Sequence, residues 1–263
     1  MAVEPLAARE RGVRRGGAAG AGGGAPGRDA RRAPAALGRR AGRHGEQGHH
    51  EPRFRAGRPA PEKKSLSATE RDEAKRAAWR AGAAVLDPAT LVFVDESGTH
   101  LAMTPRRARA PRGQRAYGAA PRNRGGNTTL IAALSRAGLG PAMTLPGAAD
   151  RAAFVAYVRE LLAPALVAGQ TVVLDNLAVH KGAAIRRLIE ARGCRLLFLP
   201  PYSPDFAPIE HAFGKIKEAL RRAGARTRPA LEAAIAAALD TITPQDAAAW
   251  FRHCGYHPPG QSL

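Results

Sequence analysis

The sequence predicts an α/β fold: a mixed sheet flanked by helices, preceded by an Arg- and Gly-rich segment that does not fold by itself. Three observations lead there. Short apolar runs that close on acidic or proline-rich residues occur at 91–94, 171–174 and 195–199; stretches of helical period lie between and after them; and residues 1–60 show neither period. A length of 263 residues with 44% apolar content suits one globular domain with an appendage. The expected divisions are a disordered basic segment over 1–60, a helical lead-in over 61–88, the α/β domain over 89–256 and a tail over 257–263. Cys194 and Cys254 are too few for a disulfide framework, no apolar run reaches 18 residues, and the first 20 positions offer Arg and Gly where a signal peptide needs an apolar stretch. A cytoplasmic protein without a membrane partner is expected.

Taken in order, Ser67-Ala-Thr-Glu70 has the pattern of a capping box, and the Ala-, Lys- and Arg-rich stretch after it reads as a helix to about Ala84. Leu91-Val-Phe-Val94 reads as a buried central strand that ends by delivering Asp95-Glu96-Ser97-Gly98 to its edge. Shorter β-type runs at Leu101–Met103 and Thr128–Leu134 suggest antiparallel neighbours. Asp150 can cap a helix whose Phe154, Val158, Leu161 and Leu162 share a face. Thr171-Val-Val-Leu174 repeats the first strand's grammar and ends in Asp175-Asn176. A helix with Ile185, Leu188 and Ile189 on one side follows, then a third strand over Arg195–Leu199. Pro200, Pro201 and Pro204 hold the next loop in a stiff path, and Pro208 opens a helix with Ile209, Phe213, Ile216 and Leu220 in one stripe. Two helices close the domain: one after Pro229 with Leu231, Ile235 and Leu239, the other capped by Thr243 and ending near Phe251.

Charge narrows the partners. Residues 1–60 hold 13 Arg, 5 acidic residues, 13 Gly and only five Val, Leu or Phe, too little apolar surface to offset chain entropy. The other 203 residues carry 28 basic and 17 acidic side chains, a net +11 that attracts polyanions. Seven arginines crowd the Pro- and Gly-rich stretch Pro105–Gly126: Arg106, Arg107, Arg109, Arg112, Arg115, Arg122 and Arg124. Guanidinium groups on an irregular loop beside the first acid suit phosphate contacts.

Two strands end in acids, Asp95 and Asp175, and Glu210 lies in the first turn of the helix entered from the third strand. If the strands are neighbours, the three carboxylates converge at one end of the sheet, where ligand sites of α/β folds lie. Clustered carboxylates repel one another; a shared proton or divalent cations would hold them together, and oxygen ligands suit Mg²⁺ or Mn²⁺. Two such ions about 3.5–4 Å apart serve in-line phosphoryl transfer. Glu96 should face away from Asp95 by strand alternation, and Asp205 in the proline loop is a weaker competitor. Along the helix from Glu210, Gly214, Lys217 and Arg221 form a stripe able to follow a nucleic-acid backbone. His180-Lys181, five and six residues past Asp175, are placed to contact substrate, move a proton or begin a helix.

These segments together resemble a known family. Leu91-Val-Phe-Val-Asp-Glu96, Ala110-Pro-Arg-Gly-Gln-Arg115, Thr129-Leu-Ile-Ala-Ala-Leu134, Val173-Leu-Asp-Asn-Leu177 with His180-Lys181, and Leu199-Pro-Pro-Tyr-Ser-Pro-Asp-Phe-Ala-Pro-Ile-Glu210 are similar to bacterial insertion-sequence transposases of the mariner superfamily, in particular the insertion-sequence 630 family. The likeness runs from about Lys63 to Tyr256, and the 34 residues between Asp175 and Glu210 match the family's spacing. It implies a ribonuclease H-like fold with Asp95, Asp175 and Glu210 as catalytic, metal-binding triad, holding two Mg²⁺ or Mn²⁺ ions. The implied reaction is hydrolytic cleavage at terminal inverted repeats, then attack by the freed 3′-hydroxyl on target DNA, typically at a TA dinucleotide. Implied too are double-stranded DNA as partner, a homodimer in the DNA complex and a place on the bacterial nucleoid. Arg106, Arg107, Arg109, Arg112, Arg115, His180, Lys181, Lys217 and Arg221 are the expected DNA contacts. Alternatives on the same residues are a ribonuclease H-like nuclease or resolvase, and an inactive DNA-binding remnant. The chain departs from the family at Ala207, where an Asn usually caps the helix, and residues 1–60 lack the family's helix-turn-helix pattern, so the expectation is a catalytic part.

Overall fold

The computed structural model describes residues 68–258. The expectations for residues 1–60, for the start of the lead-in and for most of the tail lie outside these residues. Helix α1 (Glu73–Ala83) begins later than the capping-box pattern predicts: its cap is Asp72, whose carboxylate accepts the Lys75 backbone N–H at 3.0 Å. The Asp side chain supplies the acceptor that the first helical N–H groups need, so the helix starts there.

Strand β1 (Leu91–Thr99) pairs antiparallel with β2 (Thr128–Ser135), which pairs antiparallel with β3 (Gly138–Pro146). On its other side β1 pairs in parallel with β4 (Thr171–Leu174), and β4 with β5 (Arg195–Phe198), giving the order β3-β2-β1-β4-β5. Leu101–Met103 forms no strand. The chain turns there, the Ala102 N–H donating to His100 Nδ1, and the two residues are apolar because Leu101 and Met103 pack on the core. The edge strand β3 is an addition to the sequence reading. Gly138, Gly140 and Pro141 hide it, since Pro is tolerated only where a missing ladder donor faces no neighbour.

Strand alternation divides the core into two layers. Leu91 and Phe93 point to a face covered by α5 (Pro208–Ala223), α6 (Arg228–Leu239) and α7 (Pro244–His253), where Ile209, Phe213, Ile216 and Leu220 are all at most 1% exposed. Val92 and Val94 point to the opposite face, covered by α2 (Arg151–Tyr157) and by α4 (Ala183–Glu190) with its buried Ile185 and Ile189. The α2 helix continues through a π-helical turn, Val158–Leu162, into the short α3 (Ala163–Ala165). The caps expected at Asp150 and Thr243 are present, the latter completed by Asp246 as a reciprocal box. Among the described residues no helix is long and apolar enough to cross a membrane.

Candidate active site

Register places two of the acids. Phe93 lies opposite Val173 in the parallel β1–β4 pair, so Asp95 and Asp175, each two residues further on, leave the ladder side by side. Asp95 is not at a strand end, as the sequence reading has it. Strand β1 runs four residues past it and keeps pairing with β2, Asp95 opposite Ala132, while the parallel neighbour stops at Leu174. The acid therefore sits where one side of a continuing strand loses its partner. Glu210 arrives by another path, through the proline loop after β5, a single 3₁₀ turn (Pro204–Phe206) and the first turn of α5. All three carboxylates line one cleft of about 430 Å³.

The electrostatics of this cleft are those of crowded acids. Burial pushes the Asp95 carboxyl up to about 7; the Glu96 N–H, donating to Asp95 Oδ1 at 2.7 Å, works against that, and the negative charges of Glu210 and Asp175 reinforce it. Glu96 faces away from Asp95, as alternation requires, and meets His180. The His180 ring is fully buried against Phe154, with Nδ1 donating to Asp175 Oδ1 at 2.5 Å and Nε2 facing Glu96 Oε1 at 3.3 Å. Burial disfavours its charge, but hydrogen bonds to Asp175 and Glu96 prevail and lift it to about 9. The expectation of His180 as a DNA contact is thus corrected: the ring has no exposed surface and both nitrogens are engaged. Together with the Leu177 N–H, which donates to the same Asp175 oxygen at 3.0 Å, it fixes the orientation of the second acid.

The third acid is braced from farther away. Arg76 of α1 is fully buried and grips Asp205 with two donors, Nη1 to Oδ1 at 2.9 Å and Nη2 to Oδ2 at 2.6 Å, while its guanidinium lies 4.2 Å above the Phe206 ring. The Arg76 hydrogen bond holds Asp205 below the usual carboxylate range. Asp205 is therefore the anchor of the loop and leaves the competition for the metal. Next to it, Trp79 Nε1 donates to the Tyr256 hydroxyl, which donates to the Phe206 carbonyl at 2.7 Å. A lead-in helix and a C-terminal residue thus lock the turn that delivers Glu210. Ala207 occupies the N-cap of α5 with no side-chain bond, and the proline loop holds Tyr202 at φ 52°, the one positive φ among described residues other than glycine.

None of the expected DNA contacts lines this cleft. Arg106, Arg107, Arg109, Arg112 and Arg115 are exposed on the irregular segment between β1 and β2, and Lys181 is exposed before α4. Lys217 and Arg221 are half-buried on α5. Burial and the nearby charges of Arg124 and Arg221 lower the His100 pKa, which marks where the arginine-rich segment and α5 converge. Sequence reasoning missed Arg226, whose Nη1 donates to the Leu101 and Met103 carbonyls and ties down the root of that segment. Its only sequence signal is its place in the turn after α5.

As a cation site, the cleft fits by the chemistry of its donors. Carboxylate oxygens suit a hard divalent ion, and burial, reinforced by the charges of Glu210 and Asp175, lifts the Asp95 carboxyl. Among the described residues no three His, Cys, Asp or Glu side chains enclose a metal-sized space by themselves.

A five-stranded mixed sheet with three carboxylates at the carboxyl edge of its parallel strands defines a class of phosphodiester-processing enzyme. The sequence matches the DDE superfamily endonuclease family over residues 90–232, more than half of the chain, and the chain belongs to that family. No curated protein matches it. Among solved structures it is similar to a pre-cleavage Mos1 transpososome, with 17% identity and a TM-score of 0.58 over 74% of this chain and 63% of that one. The Mos1 strand transfer complex gives 18% identity and the same TM-score over 74% and 62%. A Mos1 mariner paired-end complex with Mn gives 17% and 0.54 over 74% and 63%. The chain spans a little under two thirds of these Mos1 chains. The shared fold is the ribonuclease H-like one the sequence predicts.

Proposed function

We propose that the chain is the catalytic part of a DNA transposase of the bacterial insertion-sequence 630 family, cutting at terminal inverted repeats and joining the freed end to target DNA. The observation that carries this reading is the convergence of Asp95, Asp175 and Glu210 on one cleft. Asp95, Asp175 and Glu210 would hold two Mg²⁺ or Mn²⁺ ions, which supply activation of the attacking oxygen and stabilisation of the leaving one. In cleavage, water attacks phosphorus and the P–O3′ bond breaks, leaving a 3′-hydroxyl and a 5′-phosphate. In transfer, that 3′-oxygen attacks a target phosphodiester, losing its proton as the target's own P–O3′ bond breaks. His180 keeps the Asp175 carboxylate oriented, and Arg76 keeps the Glu210 turn in place. Arg106, Arg107, Arg109, Arg112, Arg115, Lys181, Lys217 and Arg221 bind DNA phosphates; two copies act on two element ends at the nucleoid.

The test is nicking of plasmid DNA bearing the inverted repeats that flank the coding frame, in Mg²⁺ or Mn²⁺. Wild-type protein is expected to nick it and Asp175→Ala to leave it intact; cleavage unchanged by that substitution overturns the reading.

A further inference from the structure

The loop that carries the chain toward Glu210 holds a residue the chemistry above does not use. Tyr202 is 57% exposed and lines the acid cleft, and it is the sole non-glycine among the described residues with a positive φ, 52°. An L-residue in the left-handed region is strained where glycine is not. Such strain persists where the surroundings over-determine it, and it clusters at working sites. Here Pro200 and Pro201 precede the tyrosine, Pro204 follows, and Ser203 Oγ donates to the Pro201 carbonyl at 3.1 Å, so the backbone that carries the exposed ring has little freedom. The same cleft carries a second exposed apolar side chain, Leu177, 53% exposed two residues past Asp175.

We propose that Tyr202, with Leu177 as its apolar counterpart, forms a nucleobase subsite that takes one unpaired base of the DNA strand whose phosphate lies at the acids. The inference rests on the nuclease reading above and deepens it. Bare carboxylates repel a phosphate, but divalent cations on the acids would draw one to them, and what then reaches the aromatic wall is the sugar or base next to that phosphate. Every base offers a π-face, and stacking on an aromatic ring strengthens binding whatever the sequence. A backbone fixed in advance leaves only the ring's own rotation to be frozen when a base lands on it. A duplex keeps its bases stacked on each other, so the subsite acts on a strand end or on a base taken out of the stack. The net +11 of residues 61–263 supplies the general attraction to which this local contact adds.

The experiment uses two probes of mixed sequence, a blunt duplex and the same duplex with a three-nucleotide unpaired tail carrying 2-aminopurine at the junction. Wild type and Tyr202→Phe are expected to quench the 2-aminopurine on binding. Tyr202→Ala is expected to leave it bright and to bind the tailed probe about 5- to 150-fold more weakly, with blunt-duplex affinity unchanged. Tyr202→Gly, a residue suited to this backbone, is expected to lose the quench while melting at or above wild type, which separates loss of the ring from loss of the fold. Equal binding of the tailed probe by Tyr202→Ala, or equal weakening on both probes, overturns the subsite. Plasmid nicking in Mn²⁺ is read in parallel. Quenching by a wild type that nicks nothing keeps the subsite and discards the nuclease; nicking without any quenching does the reverse.

Discussion

The first two acids and the third are held by different physics. Asp95 and Asp175 are placed by backbone ladders: parallel register sets them adjacent, Asp95 inside β1 and paired with Ala132, Asp175 one residue past the end of β4. Glu210 is placed by side chains, because its helix begins only after a proline loop whose turn is fixed by Arg76 on Asp205 and by Tyr256 on the Phe206 carbonyl. Both braces lie outside the segment 90–232 that matches the family. A sheet edge therefore tolerates change around it, whereas the third acid depends on residues far away in sequence.

Predictions from this contrast begin with the largest effect. Removing a ladder-placed acid, Asp175→Asn, leaves the fold intact and is expected to lower divalent-dependent nicking by at least about 10³-fold, the scale on which catalytic groups act. Nicking within tenfold of wild type contradicts the shared role of the acids. Next comes the brace: Arg76→Met leaves Asp205 without its partner. Since Asp205 is half-exposed, the expected loss of stability is about 1–3 kcal/mol rather than the full cost of a buried unpaired charge. The nicking rate should fall with no change in DNA affinity; equal rates for Arg76→Met and wild type would detach Glu210 from the brace.

A third prediction concerns pH in the presence of EDTA. Asp95, raised from 3.8 to about 7, holds its proton more tightly when folded, so its contribution favours the fold at low pH and is lost as pH rises between those values. His180, raised from 6.5 to about 9, contributes stability that is full below 6.5 and lost as pH passes about 9. Both slopes have the same sign. The melting temperature should fall steadily from pH 5 to pH 9, Asp95→Asn should flatten the acid half of that fall, and Mn²⁺ should oppose it by neutralising the acids. Melting that rises over this range contradicts the assignment. The smallest effect is at Ala207, where the α5 cap has no side-chain bond; Ala207→Asn is expected to raise stability by about 0.5–1 kcal/mol in denaturant melts.

The same contrast decides what was legible in the chain. Strands β1, β4 and β5 show in the sequence because parallel, doubly covered strands are continuous apolar runs, and the acids that close the apolar runs of β1 and β4 follow, although β1 itself continues past Asp95. The α5 stripe and the Pro208 start are equally plain, since local period and local caps specify them. Strand β3 is not plain, because its Gly and Pro are excused only by a position at the sheet edge that no local pattern encodes. Nor is the brace: Arg76 and Asp205 lie 129 residues apart, and nothing local to either names the other, so Asp205 reads from sequence as a weaker competitor for the metal. His180 has the same illegibility. Its neighbour Lys181 is exposed while it is buried, because the short 3₁₀ turn Ala178–His180 rolls the imidazole inward between two carboxylates.

The central claim is that acids placed by two different mechanisms serve one cation site. Titration of Mn²⁺ followed by electron paramagnetic resonance, on wild type, Asp95→Asn, Asp175→Asn and Glu210→Gln, measures it directly. Each substitution is expected to weaken Mn²⁺ binding; Glu210→Gln binding Mn²⁺ as tightly as wild type, with DNA present, would contradict the account.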